Sequence, residues 1–195
     1  PEAITVSKYH FPFITYHGDL YQADFKQFRD VDLLLAGTSC QSLSRLRIDD
    51  KRISNGLSGK SNIFYRAVEA LHIIKPRFFM FENVIPASKD DLDEMSKCIG
   101  VDPILIDSGR FSAQNRERYY WTNIPLSNLP KGSSLVLKDV MEDKADEKYF
   151  YKKSFRITDM NKRVCGELLV NTTEMCRRIY NPQFKCSTLT CINGG

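Results

Sequence analysis

An α/β fold built on a parallel sheet is predicted by three features of the sequence. A nearly continuous apolar run, Val31-Asp32-Leu33-Leu34-Leu35-Ala36, ends at Gly37, and a second, Phe78-Phe79-Met80-Phe81, follows Arg77. Between them the apolar residues switch to helical spacing, the alternation that gives strand, crossover helix and parallel strand.

Each element has its own signal. The run 31–37 has the make-up of a strand buried on both faces and delivers Thr38-Ser39-Cys40 at its C-terminal end. From Ser61 to Lys75, the residues Ile63, Ala67, Ala70, Leu71 and Ile74 recur at helical spacing until Pro76 stops the helix. Residues 77–81 form the next strand, with Glu82 and Asn83 at its end. A right-handed βαβ unit points both strands the same way, so Cys40 and Glu82 are expected at one edge of the sheet. Open α/β sheets take their ligands at that carboxyl edge. Ser88 and Asp91 predict a capping box for a helix carrying Leu92, Met95 and Ile99 and closed by Gly100. Pro103-Ile104-Leu105-Ile106 follows as a strand, and Tyr119-Tyr120-Trp121 as another. Beyond about Pro125 a loop rich in Pro130, Gly132, Ser133 and Ser134 leads into a charged stretch from Glu142 to Lys148. The boundary is expected there, between a core at 1–125 and a further region at 126–195 for which the pattern specifies no fold.

Composition narrows the class. A chain of 195 residues with 42% hydrophobic content can bury one sizeable core, which excludes a disordered protein. No run approaches the roughly 20 apolar residues of a membrane span, and the N-terminus lacks a signal-peptide pattern. The six cysteines are irregularly spread without a CxxC pair, so reduced thiols are expected; Cys186 and Cys191 lack a second ligand pair for zinc, and no metal is expected. The net charge of +4 is concentrated after Cys40: Arg45, Arg47, Lys51, Arg52 and Lys60 are interrupted by only Asp49 and Asp50 among acids.

Four pieces in fixed order, Ala36-Gly37-Thr38-Ser39-Cys40-Gln41-Ser42-Leu43-Ser44, Phe81-Glu82-Asn83-Val84, Gln114-Asn115-Arg116-Glu117-Arg118, and Ser187-Thr188-Leu189-Thr190 with Gly194-Gly195, resemble the DNA cytosine-5 methyltransferase family. The resemblance implies a Rossmann-like S-adenosylmethionine-dependent methyltransferase sheet with helices on both faces, plus the start of a small target-recognition region. It also implies S-adenosylmethionine as cofactor and double-stranded DNA as partner, in cytoplasm or nucleoid for a bacterial or phage source and in the nucleus for a eukaryotic one. Oligomeric state stays open. The family's glycine-rich cofactor loop is expected upstream of Pro1, and the remainder of target recognition after Gly195. The family usually carries proline before the cysteine, where this chain has Ser39.

Cytosine C5 is a poor nucleophile until a thiolate adds at C6 and makes C5 enamine-like. Cys40 suits that role, because a few per cent of a thiol with a pKa of about 8.5 is ionised at pH 7. Glu82 is expected to hydrogen-bond N3 and the exocyclic amine of the attacked ring. Arg116 and Arg118 alternate with Asn115 and Glu117, so an extended segment turns both guanidiniums to one side. The resemblance implies that Arg118 meets the cytosine O2, that Arg116 supports the active-site loop and a phosphate, and that Gln114 shapes the turn. It also implies that Asp19 accepts the adenine amine, that Leu20 and Ile63 sandwich the ring, and that Ser39 lies in the cofactor site. Asn83 is expected to brace the loop. Gln41, Ser44, Arg45, Arg47 and Gln114 are expected against DNA, where cations after Cys40 would neutralise phosphates beside a base rotated out of the helix. Two other functions remain open: methylation of cytosine in a structured RNA such as tRNA, and a catalytically silent homologue that binds DNA or a partner.

Overall fold

The computed structural model describes residues 2–39, 43, 57, 62–144, 146–150, 152, 154–171 and 174–187. The chain divides into two compact units, one of Pro1–Pro103 with Tyr120–Ile124 and one of Ile104–Tyr119 with Pro125–Gly195.

The first unit opens with helix α1 (Glu2–His10), none of whose residues is buried, and then two short 3-10 turns, Leu20–Gln22 and Phe25–Phe28. Strand β1 (Leu33–Gly37) pairs in parallel with β2 (Phe78–Asn83), and α2 (Ile63–Ile74) forms the crossover between them. Lys75 ends α2 in the left-handed conformation at φ 52°, its N–H bonded to the Leu71 carbonyl, ahead of Pro76. Helix α3 (Lys89–Ile99) starts at Ser88, whose hydroxyl accepts from Asp90 N–H, and ends at Gly100 with φ 88°. The expected capping-box partner, Asp91, instead receives the N–H of Leu57 at 3.3 Å.

Burial along β1 corrects one expectation. Leu34 packs on the cluster of Phe25, Ala70 and Ile74, but Leu33 and Leu35 are 44% and 59% exposed. The strand is covered on one face among the described residues, because α2 and the 3-10 turns lie on that side only.

Strand β4 (Glu117–Thr122) is shared between the units. Its end lies beside β2: Thr122 Oγ1 donates to the Phe79 carbonyl, and Asn123 bonds Phe79 N–H at 2.8 Å and the Arg77 carbonyl at 3.0 Å. Since β4 ends where β2 begins, the two are antiparallel, and the sheet is mixed. Trp121 is wholly buried and donates its indole N–H to Ser96 Oγ on α3 at 3.0 Å, which satisfies its one polar atom.

In the second unit β3 (Ile104–Asp107) leads through the Ser108–Arg110 turn back to the start of β4, with Ser108 N–H bonded to the Arg116 carbonyl at 3.1 Å. Its other sheet is antiparallel, in the order β5 (Phe155–Ile157), β6 (Val164–Leu168), β7 (Arg178–Tyr180), with the one-turn helix α4 (Glu174–Arg177) leading into β7. Gly166 of β6 faces Ile157 so closely that a methyl group there would overlap the Arg156 carbonyl oxygen.

Candidate active site

Parallel pairing sets Gly37 opposite Glu82 at the carboxyl edge. Glu82 is half-buried, and its Oε2 lies 3.7 Å from where a Cβ on Gly37 would stand. The carboxylate therefore hangs over the backbone two residues before Ser39. Asn83 points to the other face of β2 and is 2% exposed. Its amide donates to Thr38 Oγ1 at 3.0 Å and to the Thr38 carbonyl at 3.4 Å, while its oxygen accepts from Val84 N–H at 2.8 Å. One buried side chain thus ties the end of β1 to the end of β2. Thr38, which holds the other side of this clamp, carried no signal of its own in the sequence.

Cys40, Gln41, Ser44, Arg45 and Arg47 lie outside the described residues, as do Lys51, Arg52 and Lys60. Two residues, Leu43 just before the basic stretch and Leu57 within it, are described and buried. Leu43 is 0% exposed and its carbonyl accepts from Ala87 N–H at 2.9 Å; Leu57 is 4% exposed and bonds Asp91.

Beside the edge is a cavity of about 210 Å³, lined by Leu20, Leu34, Leu35, Ala36, Gly37, Thr38, Ser39, Ile63, Ala67 and Ala70. Leu20, Ser39 and Ile63 come together in it. Asp19 does not line it: Gly18 at φ 81° turns the chain, and the exposed Asp19 uses Oδ1 to accept from Tyr21 N–H at 3.0 Å, capping the Leu20–Gln22 turn. Sequence spacing did not point to Ala67 and Ala70 as walls, because small residues on a helix face read equally well as packing positions. At about 210 Å³ the space is below the roughly 300–1,000 Å³ of pockets that enclose a whole ligand. Its aliphatic walls suit one flat ring.

In the second unit the segment before β4 is held by three groups. Asp107 Oδ1 accepts from Gly109 N–H at 2.9 Å and from Arg116 N–H at 2.7 Å. The Gln114 carbonyl accepts from Ser108 Oγ at 2.9 Å, and its side-chain amide donates to the Ser187 carbonyl at 3.4 Å. Asn115 N–H bonds the Cys186 carbonyl at 2.9 Å, and Cys186 N–H the Ala113 carbonyl at 2.9 Å. Arg116 and Arg118 are half-buried with Glu117 exposed between them, so the two arginines share a side; Arg118 Nη1 also donates to the Glu117 carbonyl at 2.6 Å. Asp107 was missed, although Asp-x-Gly after a strand is a signal for such a turn.

Of the described thiols, Cys98 on α3 has a pKa raised above the ordinary value, first by burial and then by the hydrogen bond it donates to Glu94. That environment disfavours a thiolate. Cys98, Cys165 and Cys186 form no disulfide, and among the described residues no group of three or more His, Cys, Asp or Glu is placed to hold a metal ion. No described helix is long and apolar enough to cross a membrane.

Comparison with known proteins adds a further line. The model of the family C-5 cytosine-specific DNA methylase matches residues 1–184. The orphan methyltransferase M.SPRI of Bacillus phage SPR is 33% identical over 117 residues, 53% of this chain and 25% of that protein. The type II methyltransferase M.NgoBV of Neisseria gonorrhoeae is 30% identical over 104 residues, 51% of this chain and 23% of that protein. This chain therefore spans about a quarter of the length of the curated relatives it matches. A crystal structure described as a DNA modification methyltransferase encoded within a prophage (E. coli) superposes with a TM-score of 0.55 at 17% identity, covering 82% of this chain and 52% of that one. It carries the same fold.

Proposed function

The chain belongs to the C-5 cytosine-specific DNA methylase family, and from that premise we propose that the protein methylates C5 of cytosine in double-stranded DNA through a covalent bond between Cys40 and C6 of a flipped-out base. The observation that carries this reading is the register at the carboxyl edge. Glu82 overhangs Gly37, three residues before Cys40, next to a cavity lined by Ser39.

The roles follow from the chemistry. The Cys40 thiolate adds to C6, forming the S–C6 bond and moving the ring's electron pair toward C5. Glu82 hydrogen-bonds N3 and the exocyclic amine and offsets the charge that develops on the ring. S-adenosylmethionine supplies the methyl group that C5 takes. Transfer of the C5 proton to water then lets the C5–H electron pair re-form the C5–C6 double bond, which breaks the S–C6 bond and releases Cys40 as the thiolate. Arg118 is assigned to the cytosine O2 and Arg116 to the loop and a phosphate; Gln114, fastened to Ser187, shapes the turn between them. The cavity lining fits the nucleoside end of the cofactor: Leu20 and Ile63 would sandwich adenine, with Ser39 in the same lining; Asp19, outside that lining and capping the Leu20–Gln22 turn, is assigned to the adenine amine by the resemblance alone. Gln41, Ser44, Arg45 and Arg47 are assigned to DNA, with the catalytic core at 1–125 and a partial target-recognition region at 126–195. A base buried in a duplex cannot reach a thiol otherwise, so the reaction requires base extrusion.

DNA carrying 5-fluorocytosine tests this, because fluorine cannot leave C5 as a cation. The full-length protein is expected to form a cofactor-dependent adduct that survives denaturation. Cys40→Ala should abolish the adduct but keep DNA binding, since phosphate contacts do not need the thiol. Glu82→Gln should slow its formation sharply. Alanine at Cys98, Cys165, Cys176, Cys186 or Cys191 should leave trapping intact. An adduct that survives Cys40→Ala sinks the mechanism, and no adduct on any cytosine-containing DNA favours the catalytically silent homologue.

A further inference from the structure

A half-buried cation in the first unit has no part in the chemistry above. Arg66 lies on α2, one turn after Ile63, and its side chain is 19% exposed. Its Nε donates to the Leu20 carbonyl at 3.1 Å, and Nη2 to the Ala23 carbonyl at 2.7 Å. The guanidinium also stacks 4.1 Å from the centre of the Phe25 ring, and Nη1 pairs with Glu69 at 2.5 Å. Four contacts on one planar group fix its position, and two of them end on the main chain of the turn that carries Leu20.

Leu20 and Ile63 both line the cavity, one from that turn and one from the start of α2. No strand pairing holds the turn, which is a three-residue 3-10 element between extended residues. The turn meets α2 through Leu20 and Ala23, which pack on the cluster of Phe25, Ala70 and Ile74, and through the two Arg66 hydrogen bonds.

We propose that Arg66 is a positioning residue for the cofactor: by holding the Leu20 and Ala23 carbonyls it sets the width of the slot between Leu20 and Ile63, and with it the affinity for the adenine ring. This rests on the assignment of the cavity to the cofactor nucleoside. A planar, charge-assisted fork holds two carbonyls at fixed separation, which a lysine ammonium does as a point charge only. The slot pays no reorganisation on binding while the fork is in place.

The test is the dissociation constant of S-adenosylmethionine measured by calorimetry on the full-length protein, alongside turnover at saturating cofactor. Arg66→Gln keeps most of the volume over Phe25 and loses the fork; it is expected to weaken cofactor binding about tenfold, which is about 1.4 kcal/mol. Turnover per folded molecule at saturation should change less than twofold. Arg66→Lys should recover part of the affinity, and it serves if the glutamine variant does not fold. Ile63→Ala is the control for the cavity itself. Weaker binding in Ile63→Ala with wild-type affinity in both Arg66 variants overturns the role of Arg66 and spares the cavity assignment. Wild-type affinity in Ile63→Ala overturns the cavity assignment, and the proposal with it. A fall in turnover per mole with unchanged affinity would mark Arg66 as structural only and also overturn the proposal.

Discussion

Replacing Asn83 with alanine removes the clamp between the ends of β1 and β2, and the cost follows from its bonds. The amide donates a well-formed bond to Thr38 Oγ1 at 3.0 Å and accepts one from Val84 N–H at 2.8 Å; the 3.4 Å contact to the Thr38 carbonyl is long and counts for little. Two bonds at about 1 kcal/mol net each, plus a half-buried Val84 N–H left without its partner, give a destabilisation of about 2–4 kcal/mol. Thr38→Val deletes only the hydroxyl and should cost about 1 kcal/mol. Because the two residues share a bond, the double variant should be less destabilised than the sum by at least about 0.5 kcal/mol. Equilibrium urea denaturation of the full-length protein measures all three. Trapping on 5-fluorocytosine DNA should slow in parallel, since Thr38 lies two residues before Cys40 in the chain. A cost for Asn83→Ala below about 0.5 kcal/mol, or strict additivity with Thr38→Val, would refute the clamp.

Three further outcomes are expected. Lys75 ends α2 at φ 52°, where a side chain is strained by about 1 kcal/mol, so Lys75→Gly should raise the denaturation midpoint; a lowered midpoint would contradict the cap geometry. Gly166→Ala would push its methyl into the Arg156 carbonyl, and should destabilise the second unit by roughly 1–3 kcal/mol; hydrogen exchange that leaves β5 and β6 as protected as before argues against that close approach. Alanine at Arg45, Arg47 and Lys51 together should weaken DNA binding and flatten its dependence on salt, because fewer counterions are released; an unchanged slope would return these residues to a solvated surface.

The βαβ unit was legible in the sequence because its signals are local. Pro76 after Lys75, Ser88 before α3 and Gly100 after it each act on the backbone of their own neighbours, and each does so in the structure. What failed to show depends on partners far along the chain. The all-apolar run at β1 could not say which face would be covered, and Leu33 and Leu35 are exposed because α2 packs on the other side. Helix α1 buries nothing and so carries no periodic stripe to be seen. The strands β5 to β7 are three to five residues long, and the pairing of β5 with β6 brings Gly166 close against Arg156, an approach no window of sequence contains. Arg66 reads as one more charge on a helix until Leu20 and Ala23, more than forty residues earlier, are brought against it.

The candidate site stands between these cases. Residue types at strand ends marked Glu82 and Cys40, but side chains on neighbouring positions of a strand point to opposite faces. The site therefore depends on register: Gly37 lies opposite Glu82, the carboxylate hangs over Gly37, and Asn83 turns inward to Thr38. A slip of one residue would bury Glu82 and expose Asn83. Burying a carboxylate without a partner costs far more than burying a hydrogen-bonded amide. The order Glu82-Asn83 thus makes the observed register the cheaper one, and the same two residues that mark the site also help to hold the strand in the register that forms it.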